Sequence, residues 1–146
     1  MKKRSFKSWG LRPVGGLDAL TSRRGCYLLL LRIPAARIRI GALGSLAFRE
    51  GVYAYVGSAQ GRTMTLAHRL GRHLTRVKRL RWHIDYLTSH PVVEPVGAYV
   101  STGPRFTERR LACLCAQRFP VVPRFGNSDL RGKTPGHLFL LRPTGR

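Results

Sequence analysis

The chain has 146 residues, enough for one domain with a single modest core. Its hydrophobic fraction of 43% is that of a globular protein, which excludes a disordered basic tail. Twenty-seven Lys and Arg face six Asp and Glu, for a formal net charge of +21. A field this strong calls for a polyanionic partner, nucleic acid first. Only five of the 27 are Lys, and Arg is the residue for planar phosphate contact. The longest apolar run, Cys26 to Leu31, is far below the roughly 20 residues of a membrane span. No apolar core follows the basic N-terminus, so a secretory signal is not expected. A cytoplasmic or nucleoid-associated location fits, with organellar import left open. Three cysteines, an odd number, make no disulfide framework, and without a finger-spaced Cys/His pair no zinc site is expected.

In chain order, residues 1–22 carry basic residues, Pro13 and the pair Gly15-Gly16, and are expected to form a flexible basic arm. The folded domain should span 23–142, with ordered structure from Gly25 and a short tail at 143–146. Cys26 to Leu31 predicts a buried strand ended by Pro34. Arg37 to Ile40 and Leu46 to Phe48 predict a hairpin around Gly41 to Gly44. Val52 to Val56 is aromatic and β-branched, a third strand entering a turn at Gly57-Ser58.

The pattern then becomes helical. Leu66, Leu70, Leu74 and Val77 predict one apolar face of a helix over Thr65 to Leu80. Arg69, Arg72, Arg76 and Arg79 fall on another face. Seven basic residues and no acid lie between Arg62 and Arg81, and Arg62, Arg72, Arg76, Lys78, Arg79 and Arg81 are candidate backbone contacts for nucleic acid. Gly71 costs about 1 kcal/mol in a helix and implies a close neighbour. Trp82 to Leu87 predicts a short helix, with Asp85 pairing with Arg81 four residues away. A strand over Val96 to Val100 follows. Thr107 caps a helix to about Arg118, with Leu111, Leu114 and Cys115 inward. A loop over Pro120 to Pro135 leads to a final strand, His137 to Leu141. Strands and helices mix without strict alternation, which predicts an α+β fold. Its sheet should be small and mainly antiparallel, about three central strands plus an inserted hairpin.

Phosphodiester cleavage needs a base, a cation for developing charge and help for the leaving oxygen. The polar residues placed at strand ends and helix starts are Tyr27, Tyr55, Arg69, His73, His83 and Glu108. Among six acids, Asp85, Glu108 and Asp129 remain as metal-ligand candidates.

Gly25-Cys26-Tyr27 and Tyr55-Val56-Gly57 resemble the two halves of the GIY-YIG nuclease motif. Leu66-x-x-Arg69-Leu70-x-x-His73 is similar to that family's first-helix signature, and Glu108 matches its metal-binding glutamate. Asn127 falls where the family's terminal asparagine would, with Ser128 or Asp129 as substitutes. The hairpin over Arg37 to Phe48, the run Trp82 to Leu87 and the loop Gly126 to Asp129 before His137 look like its small stand-alone branch. The resemblance implies hydrolysis of nucleic acid, DNA before RNA, with one Mg²⁺ or Mn²⁺ on Glu108. Tyr27 would be the base or orient the water, with Tyr55 beside it and Arg69 on the phosphate. His73 and His83 would support proton transfer or phosphate binding. A non-catalytic nucleic-acid-binding protein on the same fold is the alternative.

Overall fold

The computed structural model describes residues 6–104, 106–126 and 136–144. Its strands are β1 (Arg12–Pro13), β2 (Gly25–Ile33), β3 (Ala36–Arg39), β4 (Ser45–Phe48), β5 (Gly51–Ala59), β6 (Glu94–Thr102) and β7 (Leu138–Pro143). Its helices are α1 (Leu66–Leu74), α2 (His83–Thr88) and α3 (Glu108–Ala116), with 3₁₀ turns at Asp18–Leu20 and Gly41–Leu43. Residues 6–8 are also helical. Five strands form one antiparallel sheet in the order β1-β6-β2-β5-β7, and β3 and β4 make a separate hairpin. The protein is therefore α+β, as its sequence pattern predicts.

The sheet is covered on both faces, which explains why β2 reads as a continuous apolar run. Tyr27, Leu29, Leu31 and Ile33 point into one cluster with Leu66 and Leu70 of α1 and Ile84 and Leu87 of α2. Cys26 and Leu28 point into the other, with Leu111, Ala112 and Cys115 of α3. Each fully buried leucine here contributes about 1.5–3 kcal/mol.

Four sequence expectations are corrected. The arm expected to be flexible over 1–22 packs on the sheet from residue 6 onward; residues 1–5 lie outside the described residues. Phe6, Leu11 and Leu20 are buried, Phe6 meets Tyr99 edge-on at 5.2 Å, and β1 pairs with Tyr99 and Val100 of β6. Three apolar anchors spaced among basic residues and glycines outweigh that composition. The second correction concerns Gly57-Ser58, which is no turn: β5 runs to Ala59, held in register with Gly25–Tyr27 of β2.

The third is the length of α1, which stops at Leu74 and not Leu80. Lys78 Nζ donates to the carbonyls of Arg72 (2.9 Å) and His73 (3.2 Å), and Thr75 Oγ1 donates to that of Gly71 (2.9 Å). These bonds take up the open carbonyls of the last turn. Arg76 then donates to the carbonyls of His90 and Val93, tying the following loop to the segment after α2. Leu74 is left half exposed and Val77 is 92% exposed, so neither continues the core stripe.

The fourth concerns Gly71, which has no tight neighbour. A Cβ there would meet only Leu17 Cδ1 at 3.7 Å, an ordinary contact. Gly71→Ala should therefore stabilise the protein by about 0.5–1 kcal/mol, measured as a rise in the urea midpoint at unchanged slope.

Candidate active site

The two central strands bring the two motif halves face to face. Tyr27 on β2 is directly opposite Gly57 on β5. A Cβ at Gly57 would overlap Tyr27 Cζ and Oη, so glycine is required for the ring to lie across the neighbouring strand. Gly25, with φ +152°, is held equally closely: a Cβ there would overlap the Ser101 carbonyl of β6.

Tyr27 is 1% exposed, and its hydroxyl lies 2.7 Å from His73 Nε2 in a hydrogen bond whose direction follows the imidazole tautomer. His73 arrives there because it stands three residues after Leu70 on the inward face of α1. The Tyr55 ring meets His73 edge-on at 5.8 Å and lies 6.5 Å from that of Tyr27. Burial pushes Tyr27 well above the usual tyrosine pKa, and Tyr55 adds to this; the Arg69 charge opposes it. Tyr55 is also pushed up, by burial first and then by the charge of Glu108, again against Arg69. His73 is pushed down to about 3, by burial and then by the Lys78 charge, so it is neutral. Its Nδ1 is buried without a hydrogen-bond partner among the described residues.

Arg69 and Arg72 both lie against Trp82, with guanidinium carbons 4.7 and 4.8 Å from the ring centroid. Arg72 Nη2 donates to Asp85 Oδ2 at 2.6 Å, and the same oxygen accepts the backbone N–H groups of Arg81 (2.8 Å) and Trp82 (2.9 Å). Asp85 therefore pairs with the guanidinium of Arg72, not that of Arg81. Sequence spacing selected the wrong arginine because α2 starts only at His83, leaving Arg81 ahead of its first turn. Asp85 is fully buried and engaged through Oδ2, and its Oδ1 has no hydrogen-bond partner among the described residues.

His83 is fixed by a different bond: its Nδ1 accepts the N–H of Gly126 at 2.8 Å. Burial and the Arg124 charge push its pKa down. The neutral ring then carries its proton on Nε2. A cavity of about 190 Å³ opens between Tyr55, Arg81, Trp82, His83 and Gly126.

Glu108 belongs to the other sheet face. Thr107 Oγ1 caps α3 by accepting the N–H of Arg110, which sets Glu108 in the first turn. Glu108 Oε1 accepts from Ser58 Oγ at 2.8 Å, and Oε2 lies 3.5 Å from His137 Nδ1. Ser58 pairs with Cys26, one residue along from the Tyr27–Gly57 pair, so this cluster sits at the same end of the sheet as Tyr27 but behind it. The charge of Glu108 still reaches forward, raising both tyrosines; it also adds to the burial that pushes Cys26 up to about 11.

Of the arginines and lysine expected to meet a phosphate backbone, Arg72, Arg76 and Lys78 are engaged by the protein's own oxygens. Arg62, Arg79 and Arg81 are exposed. Asn127, Ser128 and Asp129 lie outside the described residues. Sequence reasoning did not find Ser58 or His137 as companions of Glu108, since no spacing links three separate elements. It also left Trp82 without its role as the shelf for two arginines, which only the α1–α2 packing creates.

A family model described as "Domain of unknown function DUF123" matches residues 26–144. The chain belongs to the DUF123 family. No curated protein and no solved structure matches it. The DUF123 match begins at Cys26 and takes in Tyr27, Tyr55, Arg69, His73, His83, Glu108 and the last strand. No helix among the described residues is long and apolar enough to cross a membrane.

No group of three or more His, Cys, Asp and Glu side chains converges among the described residues. Glu108, with one carboxylate and the Ser58 hydroxyl beside it, fits a hard cation that keeps most of its water.

Proposed function

We propose that the protein is a metal-dependent endonuclease that hydrolyses phosphodiester bonds of nucleic acid, DNA before RNA. The observation that carries this reading is the Tyr27–Gly57 pairing, which joins both motif tyrosines and His73 in one cluster under the charges of Arg69 and Glu108. The net charge of +21 supplies attraction for the polyanion.

In this reading Glu108 holds Mg²⁺ or Mn²⁺, which when bound would stabilise negative charge on the phosphate oxygens. Arg69 binds the scissile phosphate from its shelf on Trp82. Tyr55 and His83 offer the phosphate O–H and N–H donors from the walls of the cavity. Tyr27 passes its phenolic proton to His73 Nε2 across their hydrogen bond and, as the phenolate, accepts the proton of the attacking water. Burial opposes the phenolate, and Arg69 is the neighbouring charge that lowers its cost.

A second reading, a binding protein without cleavage, is favoured by one specific feature. The Tyr27 hydroxyl is sealed against His73, and both Glu108 oxygens already face Ser58 and His137. The test is incubation with single-stranded, duplex and branched DNA and with RNA, with and without Mg²⁺, beside Glu108→Ala. Cleavage that needs Mg²⁺ and falls about 100-fold in the variant is expected, equivalent to about 2.7 kcal/mol of transition-state stabilisation. Equal nicking by both proteins would remove Glu108 from the metal site. Tight, salt-sensitive binding without cleavage would establish the second reading.

A further inference from the structure

A cavity of about 540 Å³ lies away from the aromatic cluster, between the N-terminal segment and β6. Arg12, Gly15, Gly16, Arg23, Ser101 and Thr102 contribute to its walls. Its size is that of a site able to take a nucleotide-sized group. Both arginines are exposed, no carboxylate contributes to the walls, and Arg12 has no acidic partner among the described residues. Arg23 Nη2 donates to Thr102 Oγ1 at 3.1 Å, leaving the proton of that hydroxyl free to donate.

The glycine pair has no internal explanation. Neither Gly15 nor Gly16 has a positive φ, and a Cβ on either would meet nothing within 4 Å. Glycine at a cavity wall with neither constraint is accounted for by a ligand that approaches the backbone closely. Two uncompensated guanidinium groups, a hydroxyl donor and an uncovered main chain are the elements of a phosphate cradle.

The sheet register relates this cavity to the candidate active site. Arg12 is opposite Val100, and Val100 is opposite Tyr27. Directly opposed residues share a sheet face, so Arg12 and Tyr27 emerge on one side, two strand spacings or roughly 10 Å apart.

We propose that this cavity seats the sugar–phosphate chain of a nucleic-acid strand running past Tyr27, with Arg12 and Arg23 neutralising phosphates over the Gly15-Gly16 main chain. This rests on the nucleic-acid reading of the protein and is independent of whether it cleaves.

The test is fluorescence anisotropy with a labelled single-stranded DNA oligonucleotide and an RNA of the same sequence, over a salt series. The Arg12→Gln/Arg23→Gln double variant should bind about tenfold more weakly, with the log–log salt slope reduced by about 1.4, two phosphate contacts on a single strand. Gly16→Val should weaken binding comparably at unchanged charge, and its thermal midpoint should match wild type because the space is open. Arg37→Gln, on the remote β3–β4 hairpin, reports the effect of losing one charge anywhere and should stay within about twofold. Wild-type affinity in Gly16→Val, or a double-variant loss no greater than that of Arg37→Gln, would overturn the cradle. So would a loss confined to DNA or to RNA, because phosphate contacts do not separate the two. Failure of the wild-type protein to bind either oligonucleotide would instead remove the nucleic-acid reading, and the cradle with it.

Discussion

Asp85→Ala should destabilise the protein by about 3–5 kcal/mol, the cost of breaking a buried charge pair from one side. Asp85 is fully buried, and a single oxygen, Oδ2, accepts from Arg72 and from two backbone amides. Truncation leaves a guanidinium in a mostly buried site without its counter-charge and removes the acceptor that starts α2. The loss extends further, because Arg72 also donates to the Arg79 carbonyl and lies against Trp82. Urea denaturation measures the effect; a midpoint shift equivalent to less than about 1 kcal/mol would mean that the pair behaves as a surface salt bridge. Asp85→Asn separates charge from shape. It keeps an oxygen for the amides but puts an N–H₂ where Oδ1 now sits without a partner, so an intermediate loss is expected. Arg69 shares the Trp82 shelf, so Asp85→Ala should also displace the arginine assigned to the phosphate.

How much of this was legible in the sequence depends on the range of the interaction that decides each feature. β2 and β5 were readable because their apolar and β-branched runs are local, and the motif glycines marked where the backbone must allow a ring or a neighbouring strand. The end of α1 was not readable. Leu74 and Val77 continue the helical spacing, but Lys78 and Thr75 bind the last carbonyls and stop the helix. Burial of the N-terminal segment was hidden because Phe6 and Leu11 stand among basic residues, while Tyr99 and Phe119, which meet Phe6, lie about a hundred residues away. Within the candidate site, Tyr27, Tyr55 and His73 meet, and the Arg69 charge reaches both tyrosines. Glu108 is displaced to the opposite face by the alternation of β5, which directs Ser58 away from Tyr55 and Gly57. The alternation of β5 is local, but the packing of α3 on that face is a tertiary fact that the sequence pattern does not carry.

His73 should make the protein acid-sensitive in a defined window. Its folded-state pKa is about 3, against an ordinary value of 6.5, because burial and then the charge of Lys78 disfavour the imidazolium. Above pH 6.5 both folded and unfolded chains carry a neutral ring, and the full stability is present. As pH falls below 6.5 the unfolded chain takes up a proton that the folded one refuses, and stability drops by about 1.4 kcal/mol per unit until pH approaches 3. By pH 4 the loss approaches roughly 3 kcal/mol on this slope. His73→Gln keeps a polar partner for the Tyr27 hydroxyl but cannot titrate. It should be less stable than wild type at pH 7.5, by about 1–2 kcal/mol for an imperfect buried hydrogen bond, yet show a flatter decline between pH 6.5 and 4. Lys78 does not confuse the comparison: its pKa, pushed down to about 8 by burial, confines its own linkage to more alkaline pH. His83 is also pushed down but is only partly buried, so His83→Gln should flatten the same window less. Denaturation midpoints measured at half-unit steps from pH 7.5 to 4 distinguish the cases. Parallel curves for wild type and His73→Gln would show that the imidazole accepts its proton in the folded state, and that the Tyr27–His73 contact is open to water.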